Sequence, residues 1–348
     1  MKEQKTKIYL TAGLSAIIML AIWALCIRPA SVQVTTQTNP THTPDPALKT
    51  PAPAVAETWD SSESSTNIKE VLEGITQAPA QAEVDAFLEE HGRTESNLLA
   101  ANALTLDNSY LEEALQLFPD SPSVLVAILS QEKTHANAVE LATSLTVLEP
   151  DNALGHYLHG KALLDAGEID AAFVALSDGA SASSFEATLT EQIEGLTAFR
   201  EFQGSSPDLA LVQSVFGGQM SHLSKMRQLS NDLTTYNSQD DTAVSVGVAM
   251  GNHLSQGAGS HLLINQLVGL HIEKKFLENL PPETFNPFLN QTHEELLQDI
   301  ENQSNHIGEI VKELDGATDQ MTIEQAANYA RTVMEEGEEA AIQKTFYK

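Results

Sequence analysis

Residues 145–180, LTVLEPDNALGHYLHGKALLDAGEIDAAFVALSDGA, leave little freedom in how this chain folds. Pro150 cannot continue a helix, and Asp151 and Asn152 carry side-chain oxygens that accept the free N–H groups of a helix's first turn. A helix is therefore expected from Ala153 to Leu164. Ala166, Gly167 and Glu168 make a turn, with Gly167 free to take positive φ, and a second helix starts near Ile169. Gly160 and Ala172 are small where two helices must touch. The segment is a helical hairpin.

Composition agrees. The 348 residues are 42% hydrophobic but only 5% aromatic, and alternating strand patterns and paired hairpin signals are absent. Packed helices are favoured over a sandwich or barrel. The formal net charge is -30. Lys2, Lys5, Lys7, Arg28 and Glu3 occupy the first thirty residues, leaving 14 basic against 47 acidic residues for the rest. Such a body repels nucleic acid and anionic lipid, both of which need a basic patch. The single cysteine, Cys26, excludes an intrachain disulfide.

Cys26 lies in an uncharged run, IYLTAGLSAIIMLAIWALCI, from Ile8 to Ile27. About 20 helical residues span roughly 30 Å, the thickness of a bilayer core. Lysines precede the run and only Arg28 closely follows it, which puts the N-terminus in the cytoplasm and the body outside. A single-pass signal anchor is expected, with membrane contact through this helix. The other reading is a cleaved signal peptide and a secreted or periplasmic body, but Arg28 and Pro29 stand where a cleavage site wants small residues. A lipid anchor at Cys26 meets Leu25 where such a signal wants Gly, Ala or Ser. The Thr-, Pro-, Ala- and Ser-rich stretch that follows buries too little apolar surface to offset ordering entropy, and reads as a disordered tether.

With Gly160, Ala172 and Pro150 at matching offsets, the 145–180 hairpin resembles a tetratricopeptide (TPR) repeat, a unit that binds proteins. The match departs from the family at His156, where Trp is usual, at His159, where Leu is usual, and at Gly179, where a second Ala is common. Upstream, the run from Leu117 to Pro122 echoes that from Leu148 to Asn152 at an offset of 31 residues, a little under the roughly 34 of the family. Further helical pairs are read at 97–106 with 108–118, and at 83–91. Two to three units would stack a continuous core. The resemblance implies a concave groove lined by the exposed side chains of Leu154, Tyr157, Lys161, Leu164 and Asp165, with Ser123 and Leu129 in the preceding unit. The competing reading is that these side chains cover a neighbouring helix. His156 and His159, one turn apart, sit at packing positions with no carboxylate or cysteine to complete a metal site.

Beyond Phe185 the pattern stays helical without the repeat. Helices are read at 190–202, 208–216 and 220–235. The stretch from Thr242 to Ile272 has no Asp, Glu, Lys or Arg and is read as a hairpin of two buried helices turning at 257–259, with Gly247 and Gly251 opening one face for close approach. A second membrane span there would bury Asn252, His253, Gln256, Asn265 and Gln266 in lipid at high cost. His253, His261 and His271, with Asn252, Asn265 and Glu273, are weighed as a site against hydrogen-bonded core histidines. They match no metal signature. A long helix over 292–314 carries the stripe Leu296, Ile300, Ile307, Ile310 and Leu314, able to pack on the body or on a second copy. Thr322 is expected to cap a last helix.

Phosphate loops, dinucleotide fingerprints and the GxSxG elbow are absent from the sequence. The expected architecture is all-α: a transmembrane helix (1–30), the tether (31–66), a short TPR-like α-solenoid (67–184) and a helical C-terminal domain (185–348). The expected function is a membrane-tethered protein–protein interaction module with no catalytic residue, cofactor or metal. The alternatives are a ligand-binding or enzymatic C-terminal half around Thr242–Ile272, and a self-assembling envelope component.

Overall fold

The computed structural model describes residues 78–347 except 133, 188, 219, 237–240, 257–261, 279 and 319–320, and only the backbone of 313–318. The expected span and tether lie outside the described residues, as do residues 67–77, His261 and the 257–259 turn. Among the described residues no helix is long and apolar enough to cross a membrane.

The described residues are mostly helical. Helices α1 (Gln81–His91), α2 (Glu95–Thr105), α3 (Ser109–Leu117), α4 (Pro122–Leu129), α5 (Ala138–Leu148), α6 (Ala153–Ala166) and α7 (Ile169–Ser181) precede Phe185. They are followed by α8 (Thr190–Phe202), α9 (Pro207–Gly217), α10 (Ser221–Tyr236), α11 (Asp241–Gln256) and α12 (Leu263–Leu277). Two short strands, β1 (Phe285–Asn286) and β2 (Gln291–Thr292), pair antiparallel with Phe285 opposite Thr292. This small hairpin is not legible in the sequence, because two-residue strands leave no alternation to detect. Helices α13 (His293–Thr318), α14 (Ile323–Glu336) and α15 (Glu338–Phe346) close the chain.

Local chemistry sets the helix ends. Asn152 Oδ1 accepts the Leu154 N–H at 3.1 Å to start α6, and Gly167 takes φ 81° to end it. Ser121 accepts from Val124 N, with Pro122 in the first turn of α4. Thr322 caps α14 in a reciprocal box with Gln325, as expected. The expected last helix is two helices, because Gly337 at φ 93° turns the chain between α14 and α15.

Helices pack closest where side chains vanish. A Cβ on Gly160 would lie 2.4 Å from Leu176 Cγ, so α7 can lie against α6 only because that position is bare. The α11–α12 hairpin meets at Gly251 and Gly269, where a Cβ on Gly269 would come 2.5 Å from the Gly251 carbonyl oxygen. Helix α8 returns to lie across α2, with Gly195 over the Ser96 carbonyl. Helix α11 lies against α6 and α7, α12 against α13, and α9 against α14. Described helices on the two sides of residues 184–185 therefore pack against one another. The stripe on α13 is buried within the same chain at Leu296, Ile300, Ile307 and Ile310, which removes those side chains from contact with a second copy.

Candidate functional site

Leu154, Tyr157 and Lys161 follow one another at three- and four-residue spacing and so share one face of α6. That face is covered. Leu154 and Tyr157 are 0% exposed and Lys161 7%. The expectation of exposed groove side chains is corrected at these three positions, because α10 and α11 from the second half of the chain lie over α6. Leu164 is half-buried and Asp165 exposed. In the preceding unit Ser123 and Leu129 are also buried, and the Ser123 hydroxyl donates to Glu191 of α8 at 2.9 Å.

Two polar links fasten the cover. The Tyr157 hydroxyl and His253 Nδ1 are 2.8 Å apart, and His253 also bonds to the backbone of Ala182. Burial lowers the His253 pKa against that bond, and burial pushes the Tyr157 hydroxyl well above its ordinary value. The second link is ionic. Lys161 Nζ pairs with Asp165 one turn along and with Asp232 Oδ2 of α10 at 3.3 Å, while Thr134 donates to the other Asp165 oxygen at 2.9 Å. Lys225, buried on α10 beside this cluster, has its pKa lowered first by burial and then by the charge of Lys161.

The histidines weighed as a site against core histidines have separate surroundings where they are described. His253 faces Tyr157, His271 is exposed on α12, and His261 lies outside the described residues. His156 Nε2 bonds to the Pro150 carbonyl at 2.9 Å and His159 Nε2 lies 3.3 Å from the Thr143 hydroxyl. Among the described residues no group of three or more His, Cys, Asp or Glu is placed to hold a metal ion.

Buried charge was missed in the sequence. Glu273 is held inside the α11–α12 hairpin, where Ser255 Oγ donates to its carboxyl at 2.6 Å. Burial, opposed by that bond and aided by Asp299, raises its pKa to about 7. Its helical period carries the signal: Gly269, Ile272, Glu273 and Phe276 fall on one face, and the other three are apolar or bare. Lys225 has the same signature, in phase with His222, Met226 and Leu229.

The chain matches no protein-family model, no curated protein and no solved structure.

Proposed function

We propose that this chain is a membrane-tethered protein–protein interaction module, built on TPR-like helix pairs and held outside the cytoplasm by an N-terminal span. The reading is of a binding protein and not an enzyme. Its partner is a protein; the acidic body argues against nucleic acid.

The observation that carries the reading is a contrast between two surfaces of the same helix stack. The inner face of α6 is occupied by α10 and α11, whereas the flanking helices α5 and α7 leave large apolar side chains in solvent. Val147 is 75% exposed, Leu148 42% and Val174 64%. Partner contact is therefore assigned to α5 and α7, in place of the inner groove that the resemblance implies.

Site-specific photocrosslinking in cells tests this. A benzophenone side chain at Val147 or Val174 is expected to give a discrete crosslinked protein species, and the same group at exposed Glu335 of α14 none. Equal crosslinking at all three positions, or at none, defeats the reading.

A further inference from the structure

Helices α8, α9, α12 and α14, with residues 186–189 before α8, border an open pocket of about 370 Å³. Its walls are apolar: Leu189, Ile193, Val215, Met220, Leu262 and Met334. We propose that this cavity binds an uncharged amphiphile, an apolar body of about a dozen heavy atoms with one hydroxyl or amide head.

Size sets the first limit. The volume lies within the range of small-molecule sites, roughly 300–1,000 Å³. At about 30 Å³ per water-sized group it takes about twelve such groups. Apolar cavities hold water poorly and take up apolar molecules instead.

The head group follows from the charges. Among the described residues, Thr190, Gln192 and Asn265 line the pocket with neutral hydroxyl and amide groups, and no Lys or Arg lines it. Among the described lining residues the one ionisable side chain is Glu186, which is exposed. An anionic head would lose its hydration beside a carboxylate with no cation to replace the water. A neutral head loses less.

The walls are braced from outside. The Glu186 N–H donates to Asn152 Oδ1 at 3.0 Å, and Asn152 Nδ2 donates back to the Glu186 carbonyl at 3.0 Å. Next to Leu262, the Leu263 N–H donates to the Glu338 carboxylate at 2.7 Å, and Tyr329 donates to the other oxygen at 3.0 Å. The cavity is thus framed by bonds that do not use the space inside it. Met220 and Met334 supply pliable surface that can follow a ligand's shape.

The test is photolabelling of the full chain in lipid nanodiscs with a ten-carbon alcohol bearing a diazirine, against the matching carboxylate, followed by peptide mapping. The alcohol is expected to label peptides of α8, α9, α12 and α14 at least tenfold more than the carboxylate, with unlabelled decanol competing. Leu189→Trp and Met334→Trp, both at half-buried wall positions, are expected to cut that labelling at least tenfold without shifting the thermal unfolding curve. If one variant unfolds, the other decides. Labelling spread over the surface, equal labelling by the carboxylate, or full labelling in a folded Trp variant overturns the proposal.

Discussion

The Tyr157 hydroxyl and His253 Nδ1 are hydrogen-bonded at 2.8 Å, joining α6 to α11 across 96 positions of sequence. Burial acts on both groups in the direction that keeps them neutral, lowering the histidine and raising the phenol. At this bond a face that reads as a partner groove becomes interior.

Tyr157→Phe keeps the ring and removes the hydroxyl, leaving a half-buried histidine nitrogen without its partner. Unfolding in urea should show a loss of about 1–2 kcal/mol. In a double-mutant cycle with His253→Leu, the two losses should be clearly non-additive. Additive losses would mean that the two helices are held together without this bond.

Glu273 should make the protein less stable in alkali. Its folded pKa of about 7 exceeds the ordinary carboxylate value of 4.5, so the folded state keeps a proton that the unfolded state releases. Stability is full below about pH 4.5 and falls as pH rises through 7. Glu273→Gln should therefore be more stable than the parent at pH 8, by about 2–3 kcal/mol, and nearly equal to it at pH 4.5. Equal behaviour at both pH values would show that the carboxyl is hydrated in solution.

His222 acts at the other end of the pH scale. It is buried on α10, its Nε2 has no hydrogen-bond partner among the described residues, and burial lowers its pKa to about 4. As pH falls, the unfolded chain takes up this proton near 6.5 while the folded chain refuses it until about 4. Stability should drop across that window by about 3 kcal/mol from this group alone. His222→Leu should flatten the melting temperature between pH 6.5 and 4. An unchanged slope would assign acid sensitivity to other groups.

Gly269→Ala should separate α11 from α12. The added carbon would meet the Gly251 carbonyl oxygen and the Ser255 nitrogen, each 2.5 Å away, and backbone atoms cannot rotate aside. A loss of about 2–3 kcal/mol is expected in thermal or urea unfolding. Gly308→Ala, on α13 with nothing near the added carbon, is the control and should be neutral or slightly stabilising. A neutral Gly269→Ala would show that the hairpin can open without penalty.

Much of the secondary structure was legible because helix limits are written in local chemistry. The helix expected at 190–202 is observed at Thr190–Phe202, and the second helix of the hairpin begins at Ile169 as read. Proline, glycine and capping side chains act within one turn, so a reader of the chain sees both cause and effect. The close approach at Gly247 and Gly251 was legible for a similar reason, since two small residues one turn apart bare one side of a helix. The β1–β2 hairpin, the split at Gly337 and the burial of Glu273 and Lys225 were harder to see. The first two are too short for a periodic signal, and a charged side chain reads as surface until its helical phase is checked.

Helix positions, the uncharged run at 8–27 and the acidic charge balance belong to the sequence itself, because each depends on neighbours in the chain or on a plain sum. Which face of α6 meets solvent does not. Leu154, Tyr157 and Lys161 share an amphipathic face that can line a groove or a core, and nothing within residues 145–180 distinguishes the two. Only the return of α10 and α11, some 70 to 100 residues later, excludes water from that face. It does so by bonding Tyr157 to His253 and pairing Lys161 with Asp232.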